Sequence, residues 1–300
     1  MPLLFDRIVL RTTRLIVFGV LFIFTFTGCA PKPVPFDGQK AFGYAEKQLE
    51  FGPRLPGSEE SHEALAFMES TLKAFGWNTE LQPFDFNGIT ATNLMAKKGS
   101  GDCWVVFGAH YDTREFADQD PLPANRNMPV PGANDGASGT SVLLELSSSL
   151  PSRPKCQIWL VFFDAEDQGR INNSPWIAGS TYFAENLEGK PDAVIIVDMI
   201  GDANLNVYKE KTSTTELVDQ IWTTAAALGF EQYIIPEYKY SIIDDHSPFL
   251  NTGIPAADLI DFDYPYWHTV NDTIDKISPE SLQIIGDLLL SWLYNNYPVK

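Results

Sequence analysis

Short apolar runs alternate with segments of helical periodicity through the middle of the chain. The runs at 104–109, 158–163 and 193–197 are five or six residues long, a length typical of strands buried on both faces. Residues 64–75 and 140–150 instead repeat their apolar positions every three or four residues, which indicates helices packed on a core. This alternation predicts an α/β fold of three layers, α/β/α, with a central mixed, mostly parallel sheet.

Two Ser-Pro pairs mark where further helices should begin. A serine suits the position before the first helical residue, and proline suits that first residue. Ser174-Pro175 and Ser278-Pro279 therefore predict two helix starts, and the second helix should run to about Tyr294.

The N-terminus has the pattern of a bacterial export signal. Three arginines precede an apolar stretch at 15–26 that is too short to span a membrane as a helix. The stretch ends at Thr27-Gly28-Cys29, which predicts a lipoprotein signal peptide at 1–28 and a lipidated Cys29. The alternative is an ordinary cleaved signal with an incidental cysteine. Both interpretations predict an exported protein, and the first predicts one anchored at the cell envelope.

The remaining chain is expected to form one catalytic domain at 37–300, joined to Cys29 by a Pro-rich tether at 29–36, because no change in composition marks a second domain. The whole chain has a net charge of −18, and loss of residues 1–28 would make it −20. Nucleic acid is therefore not expected as a partner, and the membrane is expected only through the lipid anchor. The charge favours neutral or basic peptide substrates.

Two cysteines remain in the mature domain, and each opens an apolar run. Cys103 and Cys156 should therefore lie at the same end of two strands. A disulfide between them is one interpretation in an oxidising compartment, and two buried thiols are the other.

Polar residues with metal-binding chemistry follow the ends of the apolar runs. They are His110, Asp135, Glu166 with Asp167, Asp198 and His268. Because the carboxyl ends of parallel strands meet at one edge of a sheet, these side chains are expected to converge. Imidazole and carboxylate ligands suit zinc. The adjacent Glu166 and Asp167 suggest separate roles, one carboxylate binding the metal and the other carrying a proton.

In order, spacing and flanking residues, these motifs resemble the zinc aminopeptidase superfamily. In its aminopeptidase branch, the resemblance implies two zinc ions, with Asp135 bridging, His110 and Asp198 on one ion, and Asp167 and His268 on the other. In its glutaminyl cyclase branch, the resemblance implies one zinc ion, held by Asp135, Asp167 and His268.

Three motifs resemble the cyclase branch more closely. They are Trp267 before the histidine, the doubled aspartate in Asp244-Asp245-His246-Ser-Pro-Phe249, and Asp198-Met-Ile-Gly201. Two positions depart from the animal cyclases, which commonly carry Gln in place of Ile243 and Glu in place of Asp167.

The cyclase resemblance implies conversion of an N-terminal Gln of peptides to pyroglutamate with release of ammonia. Zinc would polarise the γ-amide and Glu166 would shuttle the proton. Asp198 and Asp244 would share a proton and hold the amide nitrogen, and Trp267 would form a wall of the substrate pocket. Separately from the resemblance, Trp176, which follows the Ser174-Pro175 pair, is a candidate to line the rim of the pocket. The alternatives are a two-zinc aminopeptidase, for which His110 and Asp198 would hold the second metal, and a binding module without activity.

Replacing Cys29 by Ser should release the protein from the membrane without changing its activity, because the tether separates the anchor from the domain. Fractionation of cells into membrane and soluble exported proteins measures this. A wild-type protein found without lipid would contradict the lipoprotein interpretation.

Overall fold

The computed structural model describes residues 34–299, in which seven α-helices and eight strands alternate. The helices are α1 (Gly38–Phe51), α2 (Glu59–Ala74), α3 (Ala137–Ser149), α4 (Ala178–Glu185), α5 (Thr215–Leu228), α6 (Ser247–Asn251) and α7 (Pro279–Asn296). The strands are β1 (Asn78–Phe86), β2 (Ile89–Lys98), β3 (Trp104–His110), β4 (Gln157–Phe163), β5 (Ala193–Asp198), β6 (Val207–Lys209), β7 (Ile234–Tyr238) and β8 (Ala256–Ile260). Short 3-10 helices lie at Pro123–Asn125, Ile171–Asn173 and Ile274–Lys276.

Six of the strands form one mixed sheet in the order β1-β2-β4-β3-β5-β8. Four neighbouring strands, β4, β3, β5 and β8, are mutually parallel. The other two are antiparallel: β2 pairs with β4, and β1 pairs with β2. A separate parallel pair joins β6 and β7. The predicted mixed, mostly parallel sheet is confirmed.

Alternate residues of the central strands pack on opposite faces of this sheet. Val105 and Phe107 belong to the larger apolar cluster, which includes Trp292 of α7. Val106 belongs to the smaller cluster on the other face, which includes Phe183 of α4. Burial on both faces explains why the strand sequences are continuously apolar. Helices therefore cover both faces, as the three-layer prediction requires.

The apolar runs correspond closely to β3, β4 and β5, and one of the two predicted Ser-Pro helix starts is correct. Ser278 accepts a hydrogen bond from the backbone N–H of Ser281 and caps α7. Ser174 caps no helix, because α4 begins only at Ala178. The side chain of Ser174 instead accepts a hydrogen bond from the Asn87 amide, and its carbonyl accepts one from the Arg170 N–H.

A disulfide joins Cys103 and Cys156, whose Cα atoms are 4.9 Å apart. Both residues directly precede neighbouring parallel strands, β3 and β4. The disulfide therefore joins the amino ends of these two strands, at the edge of the sheet opposite to their carboxyl ends. This result decides the question that the sequence left open.

The predicted signal peptide, Cys29 and most of the tether lie outside the described residues. Between residues 34 and 299, no helix has the length and apolar character needed to cross a membrane.

Candidate active site

The predicted site residues converge at the carboxyl edge of the parallel strands. Strand β3 ends at His110 and β5 ends at Asp198, while Glu166 and Asp167 follow the end of β4. Asp135 lies just before α3. The convergence follows from the topology, because parallel strands place all of their carboxyl ends at one edge.

Two groups of side chains in this site have the geometry of metal ligands. Asp135, Asp167 and His268 offer ligand atoms that lie within 4.8 Å of one another. His268 Nε2 is 3.0 Å from Asp167 Oδ1 and 3.8 Å from Asp135 Oδ2. The second group consists of His110, Asp135 and Asp198. Its His110 Nε2 lies 3.2 Å from Asp135 Oδ1 and 3.1 Å from Asp198 Oδ1.

The first group fits a zinc ion well. Asp135 Oδ2 and Asp167 Oδ2 are buried and have no hydrogen-bond partner, which is costly for a carboxylate unless a cation neutralises it. Burial, with the nearby Asp135 carboxylate, raises the pKa of Asp167 to about 6. Two carboxylates and one imidazole are also a donor set typical of zinc. In the second group, by contrast, the Asp198 oxygen already has the His110 ring as its partner.

A cavity of about 460 Å³ opens over these groups. Its lining residues are Asp135, Glu166, Asp167, Arg170, Trp176, Asp198, Met199, Tyr240, Ser241, Ile242, Ile243, Asp244, Ile260, Phe262, Trp267 and His268. Every predicted catalytic, metal and substrate residue except His110 is in this set. His110 is 1% exposed and does not line the cavity, but it contacts the lining residues Asp135 and Asp198.

Two tryptophans lie near the imidazole of His268. The Trp267 ring stacks on it with centroids 3.7 Å apart, and the Trp176 ring lies nearly parallel to it at 6.1 Å. Trp176 also packs against Gly169, where an added Cβ would come within 1.8 Å of the indole. Both tryptophans are half-buried, so each presents an aromatic surface to the cavity.

Glu166 is buried beside the metal group but keeps its own position. Its backbone N–H donates to Asp112 Oδ1, and the N–H of Asp167 donates to the other oxygen of Asp112. Asp112 therefore fixes the backbone of both residues. Burial raises the pKa of the Glu166 carboxyl well above its usual value, and the Asp167 and Asp244 carboxylates add to this effect. A bound cation would oppose it.

Asp198 contacts His110 and is buried within electrostatic range of Asp244. Burial, with the Asp244 carboxylate as a further cause, raises the pKa of Asp198 to about 7, while His110 opposes the rise. Burial of neighbouring carboxylates favours protonation of one of them. Asp198 can therefore hold a proton near neutral pH.

The backbone is strained where the site residues leave their strands. Ala165, Met199 and His268 have φ values of 54°, 47° and 55°, in the left-handed region that is unfavourable for residues other than glycine. Each is either a candidate ligand or the direct neighbour of a predicted catalytic residue. Strain of this kind persists only where surrounding contacts hold it, and it is common at functional sites.

The residues that hold the ligands in place were not among the predicted site residues. The buried side chain of Arg114 binds both oxygens of Asp118, at 2.7 and 3.1 Å, and also the carbonyl of Asp167 at 3.0 Å. Asp118 Oδ1 lies 3.2 Å from His268 Nδ1. The carboxylate of Asp272 accepts the backbone N–H of Asp135. Asp112 lies two residues after the predicted ligand His110, and Arg114 and Asp118 are four residues apart, but the contacts of these residues with Asp167 and His268 join distant parts of the chain.

The fold and the site together define a metal-dependent enzyme of the zinc aminopeptidase-like type. The sequence profile of Peptidase family M28 matches residues 92–293. The chain belongs to this family, which implies that its metal is zinc.

Relatives from both branches of the superfamily resemble the chain. It is 30% identical over 202 residues to aminopeptidase YwaD of Bacillus subtilis, a match that covers 63% of the chain and 40% of that protein. It is 26% identical over 287 residues to glutaminyl-peptide cyclotransferase of Boiga irregularis, covering 79% of the chain and 75% of the relative. The structure of Tannerella forsythia glutaminyl cyclase matches with a TM-score of 0.81 and 32% identity, covering 88% of the chain and 100% of that structure. The resemblance to glutaminyl cyclases is thereby confirmed.

Replacing Asp118 by Asn should weaken zinc binding by about 10- to 100-fold. A carboxylate that bonds to a histidine ligand fixes the orientation of the ring and makes its other nitrogen a stronger ligand for the metal. The fold should persist, since the Asp118 side chain is 40% exposed. Titration against a competing chelator measures the affinity. The matched control is Asp219→Asn, which removes another carboxylate paired with a cation, Lys209. Equal zinc affinity in both variants would contradict the orienting role of Asp118.

Proposed function

We propose that the chain is a glutaminyl-peptide cyclotransferase with one zinc ion, held by Asp135, Asp167 and His268. One observation carries the proposal. Asp167 of the first group has a buried carboxylate oxygen without a hydrogen-bond partner, as does Asp135, which both groups share, whereas the second group adds no further unpartnered carboxylate oxygen. A site for one ion is suited to a reaction that needs no activated water.

Cyclisation of an N-terminal glutamine uses a nucleophile and an electrophile of the same molecule. The α-amine attacks the γ-amide carbonyl, a C–N bond forms, and ammonia leaves. The enzyme therefore has mainly to orient the two groups and to stabilise the charge that develops on the amide oxygen. A zinc ion bound to the three ligands would supply Lewis acidity at that oxygen.

Glu166 is the residue proposed to move the proton. It lines the cavity next to the ligand Asp167, yet it belongs to neither metal group. The α-amine must be neutral to attack, and its free pKa is about 7.7 to 8.0. A carboxyl with a raised pKa can accept the proton of the amine and then donate it to the departing nitrogen.

Asp198 and Asp244 are proposed to hold the amide nitrogen of the substrate. Both are buried, and both line the cavity. With one proton shared between them, the pair carries one negative charge instead of two, which lowers the cost of burying it. The pair can then still accept a hydrogen bond from the amide NH₂.

The aromatic walls of the cavity are proposed to hold the methylene groups of the glutamine side chain. Trp267 packs against Phe262, with ring centroids 5.2 Å apart, and the Trp176 ring lies nearly parallel to the His268 ring at 6.1 Å. Such surfaces bury apolar area and keep water away from the reacting atoms.

The aminopeptidase alternative rests on the second group of ligands. His110, Asp135 and Asp198 lie close enough together to hold a second ion, and two ions would activate a water molecule for hydrolysis. The similarity to aminopeptidase YwaD is consistent with this alternative.

We further propose that the mature domain acts outside the cytosol, anchored through Cys29, on peptide or protein N-termini. The disulfide between Cys103 and Cys156 supports export, because disulfides persist in oxidising compartments.

The products of two peptides distinguish the two activities. A peptide that begins Gln-Phe should lose one ammonia and keep its length, because the attack is intramolecular. A peptide that begins Leu-Phe should remain intact, since its first side chain has no amide. Mass spectrometry of both reactions gives the answer. Release of leucine, with no loss of ammonia from the glutamine peptide, would establish the aminopeptidase and refute the cyclase.

A further inference from the structure

Arg170 stands out among the residues that line the cavity. Among the described lining residues it is the one arginine or lysine, while five of the others are carboxylates: Asp135, Glu166, Asp167, Asp198 and Asp244. Its side chain is exposed, and it forms no ion pair with any residue between 34 and 299. An unpaired cation at the mouth of an acidic cavity is available to bind a ligand.

The segment that carries Arg170 is held in an unusual backbone conformation. Arg170 has φ 66°, and Asn172 and Asn173 have φ 50° and 62°. Asparagine adopts this left-handed region at little cost in energy, but the conformation is unfavourable for arginine. The Arg170 N–H donates to the Ser174 carbonyl at 2.9 Å, so the conformation is fixed by the local fold.

Neighbouring contacts anchor this segment to the metal site. The amide of Gln168 donates to the carbonyl of Thr113 at 2.6 Å and to Asp112. Arg114 donates to the carbonyl of Gly169 at 3.3 Å, and its guanidinium lies 4.8 Å from the centre of the Trp176 ring. Arg170 is therefore placed at the cavity by a rigid support.

The proposed reaction determines which part of a peptide reaches Arg170. In that reaction the glutamine side chain and the α-amine would occupy the buried end of the cavity, at the metal group and Glu166. The rest of the peptide would then extend toward solvent, past the exposed lining residues, which include Arg170 and Ile243. The second residue is consequently the first part of the substrate outside the reacting groups.

We propose that Arg170 selects glutaminyl peptides that carry a carboxylate at the second residue. The carboxylate is either the side chain of Asp or Glu or the terminal carboxylate of a dipeptide. This inference rests on the proposed cyclase activity. It is opposite to the preference that the net charge of the chain suggests, because a cation in contact with the second residue acts over a shorter distance than the charges spread over the surface, which salt screens.

The test compares peptides that differ only at the second residue, Gln-Glu-Ala-amide and Gln-Gln-Ala-amide, by the rate of ammonia release. Replacing Arg170 by Gln should lower kcat/KM for the acidic peptide by about 3- to 5-fold, the scale of an exposed ion pair. The neutral peptide should change by less than about 2-fold, within the range of substitutions that remove no contact. The effect should lie in KM and should disappear in about 1 M salt, where the screening length is about 3 Å.

Two further variants make the result specific. Arg170→Glu should reverse the preference, so that a peptide beginning Gln-Lys becomes better than one beginning Gln-Glu. Arg153→Gln is the matched control, because it removes the same charge from an exposed arginine that precedes β4, at the opposite edge of the sheet. It should leave the preference unchanged.

The source of the carboxylate follows from a second pair, Gln-Ala and Gln-Ala-amide. An effect of Arg170→Gln on Gln-Ala alone supports recognition of a terminal carboxylate, and an effect on Gln-Glu-Ala-amide alone supports recognition of the side chain.

Equal losses on charged and neutral peptides would overturn the inference and give Arg170 a structural role. Ammonia release without any dependence on the second residue would overturn it while leaving the cyclase intact. No ammonia release from any glutaminyl peptide would overturn both.

Discussion

The crowding of buried carboxylates at one edge of the sheet is the constraint on which the rest of the structure depends. Asp135, Glu166, Asp167, Asp198 and Asp244 are at most 8% exposed, and charges buried in this way are stable only when they are paired, protonated or bound to a metal. The structure uses each solution in a different place. Arg114 and backbone N–H groups bind the supporting carboxylates of Asp118, Asp112 and Asp272. His110 bonds to Asp198, and the unpartnered oxygens of Asp135 and Asp167 remain for zinc.

This division of the charge explains how one site separates the tasks of the proposed reaction. The group that suits the metal lies beside Trp267 and Trp176, where the substrate amide would bind. Glu166 lies next to that group without belonging to it, so it remains free to carry a proton. Arg170 lies outside these groups, where it can affect the choice of substrate without altering the chemistry.

Much of the fold and the centre of the site could be predicted from the sequence, because both depend on local patterns. The apolar runs of β3, β4 and β5 fix the sheet, and the topology then gathers the residues that follow them. The supporting residues were not predictable, since Asp118 meets His268 across 150 positions of the chain. The Ser174 prediction was wrong because the hydrogen bonds of Ser174 with Asn87 and Arg170 replace the helix cap.

The central claim is that one metal ion, at Asp135, Asp167 and His268, is sufficient for activity. Zinc can be added stepwise to metal-free protein while ammonia release from a glutaminyl peptide is followed. The rate should reach its maximum at about one equivalent of zinc, because three protein ligands hold one ion and leave one position open. A rate that rises until a second equivalent has bound, and that requires His110 for this second ion, would contradict it.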